Sequence, residues 1–217
     1  MDGFEVDYKK YYKVVRDVVI KARLISPGLS TFADNKACTE CENSGRKICD
    51  DEVVLRLNSE NPLTIVNLED FFIQFDGNAL SSVRDKCDLM LYDNVHNRVA
   101  FCEMTCTREK FVQPYNNSRG HNDGKRAKAY KQLLTSIAKL AVVPEIATKI
   151  CAYANKSALF AVRLKEMSNE RESSVLATMQ RFSDFARSIQ DGATLNMGNG
   201  FTFEVVQYPT IYQWQIA

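Results

Sequence analysis

Two apolar runs separated by a short polar turn constrain this chain more than anything else in it. The first is Lys86-Cys87-Asp88-Leu89-Met90-Leu91-Tyr92, the second is residues 98–107 (RVAFCEMTCT), and DNVHN lies between them. Runs of this length, bounded by Asn and Asp, predict two strands closed into an antiparallel hairpin. Residues 125–142 then place Ala129, Leu133, Leu134, Ile137, Leu140 and Ala141 on one stripe, which predicts an amphipathic helix that Pro144 closes. Strands and helices in alternation predict an α/β domain.

The flanks are less regular. Apolar residues recur at helical spacing over residues 4–24 and predict a first helix, stopped by Ser26-Pro27-Gly28. Residues 29–51 show no sustained period and predict a cysteine-bearing loop or insertion. Residues 53–57 alternate weakly. Residues 63–75 (LTIVNLEDFFIQF) fit either a strand or a short helix followed by a strand. Further on, residues 157–164 predict a strand, 172–189 an amphipathic helix, and 201–206 a late strand hairpinned with 194–197.

At 217 residues with 45% hydrophobic and 25% charged content, the chain suits a single domain with a substantial core. A formal charge of +1 neither requires nor excludes a polyanionic partner, so any nucleic-acid surface is local. The N-terminus carries acids where a secretory leader carries a basic segment, and no run approaches the roughly 18 apolar residues of a membrane span. Seven cysteines make a poor disulfide framework and are expected to be reduced, which points to the cytoplasm. No glycine-rich phosphate loop, dinucleotide fingerprint or nucleophile elbow occurs.

Side chains alternate across a strand, so Glu103 and Thr105 share one face while Cys102, Met104 and Cys106 share the other. One hairpin register sets Asp88 beside Glu103, with the sulfur-bearing residues Cys87, Cys102 and Cys106 behind them as small core residues. Two acids so placed repel each other and are costly to desolvate unless they share a cation, and Mg²⁺ or Mn²⁺ suits hard oxygen ligands that leave room for water. Such an ion lowers the pKa of bound water and neutralises charge growing on a phosphodiester. Solvated or ion-paired surface acids are the alternative reading of the same two residues.

These residues resemble the PD-(D/E)XK nuclease superfamily, by motif from Asp85 to Leu140 and by element order up to Leu164. The resemblance implies a restriction-endonuclease-like fold, a central mixed β-sheet flanked by helices, with residues 85–164 as the nuclease-like core. It implies that Asp88 and Glu103 are the metal ligands, joined by the backbone carbonyl of Met104. The family's third triplet residue is a lysine that orients or activates the attacking water, and here the triplet is Glu103-Met104-Thr105. Members of the superfamily move that lysine to the following helix, which implies Lys128, or else Lys125, with Gln132 as the helix-borne polar residue and Thr105 as a supporting contact. The activity implied is hydrolysis of nucleic acid, and the alternative is an inactive nuclease-like fold serving as a binding module. Many nucleases of this fold work as homodimers.

Arg119, Lys125, Arg126 and Lys128 form a local basic cluster at the predicted start of that helix, and His121 lies in the same loop. The cluster fits a surface that reads a phosphate backbone, and fits a solvated loop equally well. Cys38-x-x-Cys41 followed by Cys49 has zinc-like spacing without a fourth ligand in its own segment. Cys87, Cys102 or Cys106 completes that set only if the loop folds over the hairpin, and free thiols are the alternative.

Overall fold

The computed structural model describes residues 1–33, 53–75, 85–118, 120–164 and 194–214. The elements in chain order are α1 (Phe4–Tyr11), β1 (Ala22–Ile25), β2 (Gly28–Ala33), β3 (Val53–Ser59), β4 (Leu63–Asn67), α2 (Leu68–Ile73), β5 (Leu89–Asp93) and β6 (Arg98–Thr107). There follow a single 3₁₀ turn (Glu109–Phe111), β7 (Tyr115–Asn117), β8 (Gly120–Asn122), α3 (Gly124–Ala141), α4 (Pro144–Ala152), β9 (Asn155–Leu164), β10 (Thr194–Gly198), β11 (Phe201–Gln207) and β12 (Ile211–Trp214).

A mixed seven-stranded sheet in the order β1-β4-β5-β6-β9-β11-β10 forms the centre. Strands β4, β5 and β6 run as an antiparallel meander, and β9 then pairs parallel to β6 after the crossover through α3 and α4. Alternation along β6 sorts side chains between two cores. Val99 and Phe101 join the helices, burying against Leu133 and Ile137 of α3 and Phe71 of α2, whereas Ala100, Cys102 and Met104 bury on the other face. That second face is covered by a three-stranded sheet in the order β12-β3-β2, whose Leu55, Leu57 and Trp214 complete the core. The result is an α/β architecture in three layers, with the described helices on one face of the central sheet and a small sheet on the other.

Several expectations from the sequence are corrected. The first helix ends at Tyr11 rather than near residue 24, and Ala22–Ile25 is an edge strand antiparallel to β4. The β-branched Val14, Val15, Val18, Val19 and Ile20 mimic helical spacing but favour extended backbone. Residues 63–75 form a strand and then a helix, the reverse of the helix-first alternative. Asn67 is the reason, since its side chain accepts the Asp70 N–H at 2.8 Å and caps α2. Pro144 does follow the end of α3, but it also opens α4, where its missing N–H is harmless. The polar loop before α3 contains the small β7–β8 hairpin. Residues 172–189, and the cysteine segment beyond Ala33, lie outside the described residues.

The β5–β6 turn is held by Asp93, only 3% exposed, whose carboxylate accepts the N–H groups of Val95 and His96 and pairs with Nδ1 of His96. Burial pushes its pKa up, but the His96 bond and the two backbone N–H groups outweigh that and leave it below the ordinary 3.8. Asp93 therefore contributes stability that is present above the unfolded value and lost as pH falls through the lower folded value. Asp93→Asn is expected to destabilise at pH 7 and to differ less from wild type in strong acid. Urea unfolding at pH 7 and pH 3 checks this, and an equal penalty at both would contradict it.

Candidate functional site

Asp88 stands at the threshold of β5, and three elements fix it. Its backbone carbonyl accepts the N–H groups of Leu68 (2.8 Å) and Glu69 (3.3 Å) from the first turn of α2. Its side-chain Oδ2 accepts the Met104 N–H of β6 at 2.6 Å, and the residue is 8% exposed. From the helix side, α3 holds the two residues before it. Nε2 of Gln132 donates to the Lys86 carbonyl at 2.9 Å, and the Cys87 N–H donates to Oγ of Ser136 at 2.9 Å.

The β5–β6 register ends at Leu89 and Cys102, and Asp88 lies just before it, tied to β6 through the Met104 N–H. Glu103 follows the parity of Phe101 and projects from the helix-covered face. Glu103 is half-buried, and its Oε2 is enclosed by the protein. On the neighbouring strand it meets Phe160, while Thr105, itself buried, meets Val162.

The fields of the two acids are felt nearby. The Cys87 thiol is driven well above its ordinary value by burial, with the Ser136 bond opposing and the charges of Glu103 and Asp88 adding to the rise. Cys102 is raised likewise by burial, then by Asp88, Cys87 and Glu103. Neutral thiols are poor nucleophiles, so neither cysteine supplies covalent chemistry. Their places differ from the expectation that all the sulfurs lie behind the acids. Cys102 does, with Met104 and the partly buried Cys106, but Cys87 belongs to the helix-side core. Cys38, Cys41 and Cys49 lie outside the described residues. Among the described residues no three His, Cys, Asp or Glu side chains gather into a metal-holding group.

Helix α3 orients its polar residues unequally. Lys125, Ala129, Gln132 and Ser136 follow one another at spacings of four, three and four, which is a single stripe facing the Asp85–Asp88 segment. Lys125 on that stripe is half-buried, whereas Lys128 points further round and is exposed. Lys131 pairs with Asp85 at 2.9 Å on the surface. The start of α3 is pressed against the chain ahead of it. Gly124 has φ +81°, and a Cβ there would lie 2.5 Å from the Gln113 backbone, so only glycine fits. Arg126 is half-buried in that first turn, and its N–H donates to the Val112 carbonyl at 3.1 Å. His121 is exposed in β8, within 3.1 Å of Oδ1 of Asn116 and 3.5 Å of Asp123. Arg119 is outside the described residues.

Two carboxylates, Asp88 bonded to the Met104 N–H and Glu103 one residue before it on β6, form a donor set of hard oxygens. In a strand the N–H and C=O of one residue point to the same neighbour, so the Met104 carbonyl is directed toward the flank where Asp88 sits. Mg²⁺ is commonly held by one or two carboxylates with waters and substrate phosphates completing its shell, so this donor set fits that ion or Mn²⁺. Sequence reasoning missed the α2 N–H groups, the Met104 N–H and Ser136 as the fixtures of Asp88. The Asn67 cap was the one local sign of the first of these. Removing Gln132 by Gln132→Ala is expected to cost about 1 kcal/mol, the ordinary worth of a hydrogen bond to backbone, measured by urea unfolding.

Comparison with protein-family models, curated proteins and solved structures finds no match to this chain. Among the described residues no helix is long and apolar enough to cross a membrane.

Proposed function

We propose that this chain is a Mg²⁺- or Mn²⁺-dependent nuclease centred on Asp88 and Glu103. The observation that carries the reading is the Met104 N–H of β6 holding one Asp88 oxygen, which sets Asp88 beside Glu103, the residue before Met104 on the same strand. The resemblance to the PD-(D/E)XK superfamily adds support. Asp88 immediately precedes the second strand of the β4–β5–β6 meander, Glu103 lies on the third, and α3 with Gln132 follows.

When bound, the divalent ion supplies a more acidic water and neutralises charge on the phosphodiester. The chain's own residues do the rest. Asp88 and Glu103 hold negative charge at fixed positions, and the hydrogen bonds from Met104, Leu68 and Glu69 keep Asp88 from turning away. Gln132 and Ser136 keep the Asp85–Asp88 segment against α3. Lys125, on the stripe that faces this segment, replaces the missing triplet lysine in orienting the attacking water, with exposed Lys128 as the other candidate. Arg126 and His121 lie where a phosphate backbone approaching the α3 start would pass.

One observation favours a second reading. The buried Thr105 occupies the triplet's lysine position, and it has neither the charge nor the reach of a lysine. An inactive fold that binds nucleic acid without cutting it accounts for that substitution. A cleavage assay on single- and double-stranded DNA and RNA, with Mg²⁺, Mn²⁺ or chelator, separates the two. Cation-dependent cleavage lost in Glu103→Gln supports the nuclease. Retention of labelled nucleic acid on the protein with no cleavage supports the binding module.

A further inference from the structure

Phe111 and Tyr115 are large aromatic side chains that belong to neither buried core. Both are half-buried, and the two rings pack on each other with 4.9 Å between centres and 57° between planes. Val112, next to Phe111, is fully buried in the helix-side core, so the chain is anchored there while the rings stay at the surface. Aromatic rings contribute most to folding when a core covers them, and this pair leaves part of its area to solvent.

The pair is fixed at the end of the sheet that carries the acids. The 3₁₀ turn holding Phe111 follows β6 directly, and Glu103 lies four residues before the end of that strand, roughly 13 Å along it. Tyr115 pairs with Asn122 across the β7–β8 hairpin, and Oδ1 of Asn122 accepts the Gly124 N–H at 3.0 Å, which ties the hairpin to the start of α3. The Val112 carbonyl accepts the Arg126 N–H at 3.1 Å and ties the turn to the same place. Rings held in this way lose little freedom when a ligand arrives. Charge gathers there too. Nζ of exposed Lys110 lies 5.3 Å from the Phe111 ring centre. Among residues 108–118 and 120–128, Arg108, Lys110, Lys125, Arg126 and Lys128 are set against only Glu109 and Asp123, an excess of three positive charges on a chain whose total is +1.

We infer that this surface holds an unpaired strand of nucleic acid, with bases stacked on Phe111 and Tyr115 and phosphates along Arg108, Lys110 and the start of α3, so that the substrate of the acid site is single-stranded. Within a duplex the face of each base is covered by its neighbours, and only an unstacked base can lie on a protein ring. Aromatic rings interleaved with cations are the means by which proteins hold single strands, and such sites track about four nucleotides or more, enough to run from the rings toward Glu103. The exposed side chains of Asn116 and Asn117 on the hairpin add polar groups beside the rings. The inference rests on the nuclease reading for its link to cleavage, while the binding itself is measured without any cut.

Fluorescence anisotropy of labelled oligothymidylate, oligouridylate and a DNA duplex of the same length, titrated with the full chain in the presence of chelator, tests this surface. At least one of the single strands should bind saturably, at least tenfold more tightly than the duplex, and more weakly as salt rises. Phe111→Ala and Tyr115→Ala should each weaken that binding at least fivefold. Phe111→Trp should keep the affinity, and its fluorescence should be quenched when the strand binds, which a ring with a purely structural role would not show. No saturable single-strand binding by wild type, duplex bound as tightly as single strand, or both alanine variants binding as wild type does would overturn the inference. The two readings fail separately. Tight single-strand binding by wild type with no cleavage in Mg²⁺ or Mn²⁺ would sink the nuclease and leave this surface standing, whereas duplex cleavage that Phe111→Ala leaves unchanged would keep the nuclease and overturn the single-strand assignment.

Discussion

Asp88→Asn is expected to abolish cation-dependent cleavage while leaving the protein folded. Asparagine keeps an oxygen that can accept the Met104 N–H, and the Asp88 carbonyl that receives the α2 N–H groups belongs to the backbone. What disappears is one of the two charges proposed to hold the cation. A metal's stabilisation of a transition state amounts to several kcal/mol, so the rate should fall about 10³-fold or more. Unfolding by urea should show a far smaller change. If cleavage persisted within tenfold of wild type, the acid pair would not be the centre.

The second large effect is on stability. Phe71, 1% exposed in α2, packs its ring 5.0 Å from Phe4, 5.2 Å from Tyr8, 5.4 Å from Phe72 and 5.1 Å from Phe75. Phe71→Ala opens a cavity where several rings meet and should cost about 3–5 kcal/mol. Because the first turn of α2 holds the Asp88 carbonyl, the same change should also weaken cation binding by the molecules that remain folded. Ile73→Ala, on the exposed side of the same helix at 46% exposure, is the control and should stay within about 0.5 kcal/mol of wild type. Equal penalties for the two would contradict the packing described for this layer.

What could be seen in the sequence was local. The β5–β6 hairpin was legible because both runs are apolar and because Asn97, at φ +51°, is a residue that tolerates a left-handed turn. Strand β6 matches its expected bounds and α3 differs by one residue at each end, since the α3 stripe has one unambiguous period. The valine-rich stretch after α1 imitated a helical period, yet neither helix nor strand forms there, and the next element is β1, decided by its pairing with β4. Non-local partners were out of reach. The parallel pairing of β12 with β3 joins Ile211 to Arg56, and no neighbouring residue announces it.

At the site the division is similar. Alternation placed Glu103 opposite in facing to Cys102 and Met104, and the register that pairs Leu89 with Cys102 follows from a four-residue turn. Which lysine of α3 turns inward depended on how the helix rolls against the sheet. Gln132 and Ser136 set that roll, and it favours Lys125 over Lys128. The fixing of Asp88 by α2 needed the capped turn at Asn67 to be recognised as the start of a helix.

The most direct test is Mn²⁺ binding by calorimetry to wild type, Asp88→Asn and Glu103→Gln in chelator-treated buffer. The account predicts one saturable Mn²⁺ site per wild-type chain, competed by Mg²⁺ and weakened at least tenfold by either substitution. Wild-type binding that both substitutions leave unchanged, or no saturable binding at all, would contradict it.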